Sequence, residues 1–145
     1  MVNGRRLPLA AIATMAFVAC TVTFHNPPGW VPERNVFVLH FDAAPATVYP
    51  RVVAAVTAES LAIAASDPAT GVLTAAPFHI VSYGNDYATT IHATVAPGAR
   101  GTDVTLSGNV INQTSAGLFE LPLVPSRSGA WARLQRIADH LRSPQ

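Results

Sequence analysis

The sequence predicts an α+β fold, an antiparallel sheet of four to five strands packed against two helices and preceded by a signal helix. Three observations predict it. Short runs rich in valine, isoleucine, threonine and aromatic residues, several alternating with period two, recur between residues 35 and 110. Two stretches, near 47–59 and 128–142, carry apolar residues at helical spacing. These helices bracket the strands in the order β-α-β-β-β-β-α, which segregates helices from the sheet run instead of interleaving them.

The first strand is expected over Asn35 to Asp42, apolar almost throughout, and Ala43, Ala44 and Pro45 break it. The following helix places Val48, Val52, Ala55 and Val56 on one face. Two starts are open to it. With Thr47 as N-cap, Pro50 falls in the first turn, where its missing N–H costs nothing; a start at Pro45 puts Pro50 inside the helix. Leu61, Ile63 and Ala65 alternate weakly, and Asp67 to Gly71 reads as a turn, with Pro68 presetting one position and Gly71 free to take positive φ. Val72 to Ala76 returns as the partner strand, and Phe78 to Tyr83 either continues it or begins another. Tyr87 to Val95 and Asp103 to Val110 alternate across a loop at Pro97 to Thr102. Periodicity then lapses from Ile111 to Arg127, although Leu118 to Pro125 is strongly apolar. The last helix has Ser128 as N-cap and a stripe of Trp131, Leu134, Ile137, Ala138 and Leu141, and Ser143-Pro144 ends it.

The N-terminus has a different logic. Arg5 and Arg6 precede an apolar run from Leu7 to Ala19, thirteen residues long, which ends at Cys20, the only cysteine. A cationic start, a short apolar stretch and small residues before a cut site describe a secretory signal, and the run is shorter than the roughly 20 residues that span a membrane. The segment resembles a bacterial lipoprotein signal: Val18, Ala19 and Cys20 fit the lipobox, with Phe17 where leucine is usual. That resemblance implies cleavage before Cys20 and acylation of its sulfur; the alternative is an ordinary cleaved signal. The implied organisation is a signal peptide over 1–19, a tether over 20–34 containing Pro27, Pro28, Gly29 and Pro32, and a single domain over 35–145. Thr21 in place of aspartate after the cysteine implies, by the same resemblance, the periplasmic face of the outer membrane.

Composition narrows the function classes. The chain has 145 residues, half of them hydrophobic and 12% charged. All nine basic residues are arginine. Without Arg5 and Arg6, seven arginines face eight carboxylates, which leaves no basic stripe for nucleic acid. A lone, acylated cysteine leaves no internal disulfide, thiol nucleophile or thiolate metal site.

The order of elements resembles the helix-grip modules of BamC-type outer-membrane lipoproteins. The residues that carry the likeness are Leu61 and Ile63, the turn from Asp67 to Gly71 with Val72 to Thr74, and the closing helix from Trp131 to Leu141. The resemblance covers roughly residues 35 to 142 and implies a structural, non-enzymatic module in the cell envelope.

Chemical motifs are scarce. His40, His79 and His92 lie on separate expected strands without a ligand-spaced histidine pair, so no metal site is expected. No Gly-x-Ser-x-Gly elbow or phosphate-binding loop occurs, and no catalytic or cofactor-binding residue is expected. The residues singled out are Cys20 for lipid attachment and Leu118, Phe119, Leu121 and Leu123 for interaction. Buried, that apolar run covers the core or a sheet edge; exposed, it contacts a partner or lipid. The function expected is therefore a membrane-anchored scaffold or protein-interaction module with an envelope protein as partner. The alternative is a binding protein for a small apolar ligand or lipid between sheet and helix.

Overall fold

Two long strands, β6 (Asn85–Pro97) and β7 (Thr102–Thr114), form an antiparallel hairpin on which every other strand is hung. The computed structural model describes residues 26–82, 84–114, 117–126 and 128–143. Cys20, the signal segment and the first part of the tether lie outside the described residues. The half of the hairpin near its connecting loop carries β2 (Val36–Phe41) and β1 (Trp30–Val31) beyond β7, and β4 (Val72–Ala75) and β3 (Ile63–Asp67) beyond β6. The other half carries β8 (Gly117–Pro122) on β7 and β5 (Phe78–Ser82) on β6.

The α+β class holds, but the sheet has eight antiparallel strands where four to five are expected. The excess has physical sources. Phe78 onward is a separate strand that pairs with Tyr87 and its neighbours, not an extension of β4. The 111–127 segment, where periodicity lapses, lengthens β7 and supplies β8. Trp30 and Val31 pair with Phe37 and Val36, so the fold reaches back into the segment read as a tether.

Both helices lie on one face of the sheet. α1 (Pro45–Ala58) starts at Pro45, the alternative to the expected start near Thr47. Proline suits that first position, since its φ is preset and its absent N–H is unpaired there anyway. Pro50 then falls inside the helix, on its exposed side. Val48, Tyr49, Val52, Ala55 and Val56 are buried. Tyr49 joins the stripe because its hydroxyl has partners, donating to the Val72 carbonyl at 2.9 Å and lying 2.8 Å from Ser66 Oγ. Helix α2 (Gly129–Arg142) is capped by Ser128, whose Oγ accepts from the Trp131 N–H at 3.2 Å. Its expected stripe, Trp131, Leu134, Ile137, Ala138 and Leu141, is buried throughout.

The core fills the space between helices and sheet. Trp30, Phe37 and Trp131 form an aromatic cluster, with Trp30 edge-on to Trp131 at 4.7 Å and Phe37 stacked on Trp131 at 5.4 Å. Arg142 donates to the Pro28 carbonyl and so ties the entering chain to the end of α2. Glu59, at the end of α1, accepts from Arg136 Nε of α2 at 2.8 Å and lies 3.3 Å from His140 Nε2. At the β3–β4 turn Gly71 has φ +72°, and its carbonyl accepts from the Val95 N–H at 2.8 Å.

Candidate functional site

The helices cover one half of the sheet and leave the same face of the other half open. Which residues share that open face follows from register, because directly paired residues point the same way. Phe78 pairs with Thr89, Thr89 with Val110, and Val110 with Leu121, which makes one row across four strands. Ile80 and Tyr87 pair in the next row, and Phe119 follows Leu121 on the same face of β8. Arg133 of α2 stacks over the Phe78 ring at 5.0 Å and closes the near end of the first row. Beyond it lies an open, largely apolar trough of about 280 Å³ bordered by Ile80, Tyr87, Val110, Leu121, Val124 and Ser126.

Of the four residues proposed for interaction, the structure keeps three at the surface. Leu118 is 70% exposed, Phe119 48% and Leu121 53%. Leu123 is corrected: it is 3% exposed and belongs to the core. Its burial has a local cause, since its N–H donates to the Gly108 carbonyl at 2.7 Å and its side chain occupies the space that glycine leaves. Phe119 and Leu121 face the helix side, where Leu121 borders the trough, whereas Leu118 and Glu120 lie on the opposite face. All six residues of β8 are exposed, and among the described residues the strand pairs with β7 alone. Glu120 is the strand's one charge, and its Oε2 accepts from Asn109 Nδ2 at 3.4 Å.

The outer face of the sheet is polar and carries the three strand histidines, in different rows. His40 Nδ1 lies 2.9 Å from Asp103, and His79 Nδ1 lies 3.0 Å from Asp86. His92 sits between Thr74 and Thr90, at 3.2 and 3.3 Å. Among the described residues no three His, Cys, Asp or Glu side chains gather where a metal could sit. Two carboxylates are held below their ordinary range: Glu59 chiefly by its hydrogen bond from Arg136, and Asp67 by the Thr70 hydroxyl and the Ala69 and Thr70 amides of its turn. Both brace local structure, one at a helix–helix contact and the other in a hairpin turn. Among the described residues no helix is long and apolar enough to cross a membrane.

No protein-family model matches the chain, and no curated protein matches it.

Sequence reasoning missed β8 as a strand and missed the trough. The apolar run from Leu118 to Val124 was the available signal, but its alternation is obscured because apolar residues occupy both faces. Only the pairing with β7 shows that Leu121 and Phe119 extend the helix-side face past the end of α2.

Proposed function

We propose that this chain is an envelope lipoprotein, anchored through acyl chains on Cys20, whose α+β domain is a non-enzymatic scaffold or protein-interaction module. The observation that carries the reading is strand β8, an apolar sheet edge with Leu118, Phe119 and Leu121 in solvent. Soluble domains normally blunt such an edge with charge, proline or a covering element, because its unpaired backbone groups invite a further strand; on β8 Glu120 and Pro122 do so only at its C-terminal half and leave Leu118 and Phe119 unguarded. An exposed apolar edge beside an open trough therefore favours partner binding by strand addition, with the trough receiving alternate side chains.

The N-terminal pattern supports the location. Two or three acyl chains anchor a protein stably where one does so only reversibly, and the outer membrane's periplasmic face is the destination that Thr21 favours. A helix after the first long strand and a closing helix over the sheet also fit helix-grip kinship with BamC-type lipoproteins. Two variants test the reading together. Cys20→Ser releases the protein from membranes. Phe119→Ser with Leu121→Ser abolishes partner capture in crosslinking from the host envelope, with the unfolding midpoint unchanged. A variant that stays membrane-bound, or one that binds partners as wild type does, overturns the corresponding half.

The second reading, an apolar ligand or lipid carrier, is favoured by the trough's lining of Ile80, Tyr87, Val110 and Leu121. It ranks below the first because the trough is open and its 280 Å³ falls under the roughly 300–1,000 Å³ of small-molecule sites. Saturable binding of a fluorescent fatty acid, lost on Val110→Arg, would favour it.

A further inference from the structure

The backbone of β8 restricts what can lie beside it. The bond from the Leu123 N–H to the Gly108 carbonyl fixes the phase of the β7–β8 ladder. Bonded and non-bonded pairs alternate in an antiparallel ladder, so Phe119 and Leu121 turn their backbone groups toward β7. Leu118, Glu120 and Pro122 turn theirs outward. Pro122 has no N–H, which leaves Leu118 and Glu120 as the outward donors of the strand. Among the described residues no strand lies on that side.

We infer that a second copy of this chain occupies it, through an antiparallel β8–β8 seam about a two-fold axis at Phe119. This rests on the reading of β8 as an interaction strand and names its partner. A two-fold axis perpendicular to the sheet keeps the two faces matched and pairs each residue with its mirror position about the centre. Centring on Glu120 sets two carboxylates directly opposite each other and faces each Leu118 with Pro122, which loses a donor on both sides. Centring on Leu121 wastes each Glu120 on Pro122. Centring on Phe119 faces Leu118 with the other copy's Glu120 at both ends of the seam. Every outward N–H of β8 then finds a carbonyl, Pro122 is left out of the seam, and the two carboxylates are separated. The two Phe119 rings meet at the close, non-bonded position, and Leu121 lies across from Gly117, which has no side chain to oppose it.

The seam brings the two troughs onto one continuous face with Phe119 and Leu121 of both copies at its middle. A seam of five residues, Gly117 to Leu121, is short beside the roughly 1,200–2,000 Å² that stable interfaces bury, so the free-solution dimer is weak. Confinement of both copies by their lipid anchors raises the effective concentration and offsets this.

Cysteine crosslinking tests the register. In the full-length chain carrying Cys20→Ser, each introduced cysteine is the only one. Phe119→Cys faces itself across the axis at a separation that a disulfide spans, whereas Glu120→Cys faces Leu118. At protein concentrations high enough to populate the unanchored dimer, the expected result is oxidation of Phe119→Cys to a covalent dimer and at least tenfold slower dimerisation of Glu120→Cys. A mixture of Leu118→Cys and Glu120→Cys chains should form the mixed dimer. Both positions are exposed, so circular dichroism should match wild type and separate a failed fold from a failed seam. Faster crosslinking of Glu120→Cys, or none at any position while wild type sediments as a monomer at all concentrations, overturns the inference. Should that monomer still capture a foreign partner through Phe119 and Leu121, self-pairing falls and the interaction reading stands.

Discussion

Gly108 and Leu123 fit together as backbone and side chain: a Cβ on Gly108 would lie 3.0 Å from Leu123 Cδ2, 3.3 Å from Leu123 Cβ and 3.2 Å from the Thr90 carbonyl. Leu123 thus pins the end of β8 to the core and sets which residues of the strand face outward. Overpacking at such a point costs about 1–3 kcal/mol, so Gly108→Ala is expected to destabilise by that amount. Leu123→Ala alone should cost about 2–4 kcal/mol through the cavity that it opens. The double variant should cost less than the sum, because the shortened side chain makes room for the new methyl group. Urea unfolding of the four proteins measures the coupling, and strict additivity would contradict the packing described.

Trp30 tests where the folded domain begins. A tether residue can be truncated without effect on stability, but Trp30 is buried against Phe37 and Trp131. Removing a buried tryptophan typically costs about 3–5 kcal/mol, so Trp30→Ala should lower the unfolding free energy on that scale. An unchanged midpoint would return residue 30 to the tether.

Glu59 predicts a pH dependence with a definite sign. Its side chain is only 9% exposed, and the Arg136 guanidinium holds its pKa below the ordinary 4.5. A carboxylate with a depressed folded-state pKa stabilises above its unfolded value and loses that contribution as pH falls through the folded one. Arg136 is half-exposed, so screening limits the pair to about 1 kcal/mol at neutral pH. Glu59→Gln should therefore be less stable than wild type at pH 7, with the difference shrinking as pH falls below 4.5 and the folded-state carboxylate takes up its proton. Asp67 shifts in the same direction but is present in both proteins, so the difference isolates Glu59. Thermal unfolding across pH reads it; a gap that widens in acid would contradict the assignment.

Gly71 cannot accept a side chain. Its φ is positive, and a Cβ there would lie 2.0 Å from the Val95 carbonyl oxygen. Strained backbone together with a backbone clash makes Gly71→Ala cost more than about 2 kcal/mol, and amide exchange should rise first at the β3–β4 turn and the Val95 N–H. Wild-type stability in that variant would mean that the turn is free to rearrange.

The parts of the fold legible in the sequence are those where burial on one face imposes a period. The α2 stripe from Trp131 to Leu141, the Asp67 to Gly71 turn and the alternation of Ile91, Ala93 and Val95 all read correctly because one side of each element meets the core. β8 has no buried side, so no alternation marks it, and its strand character comes from pairing with β7 alone. Trp30, a linker residue with the option of folding back onto the domain, was legible only in part, for another reason. Prolines at 27, 28 and 32 describe a tether correctly until the two residues between them find an edge to pair with. Leu123 and Leu121 are chemically identical in sequence, and only the glycine opposite one of them separates core from surface.

Coverage of the β8 edge on assembly, as proposed, is read by single-residue hydrogen exchange. Exchange is compared between the protein in its native envelope assembly and the same protein extracted in detergent and diluted. The amides of Phe119 and Leu121, bonded to β7, should be protected in both states. Those of Leu118 and Glu120 should exchange freely in the diluted protein and slow by at least tenfold in the assembly. Equal rates for Leu118 and Glu120 in the two states would contradict the account.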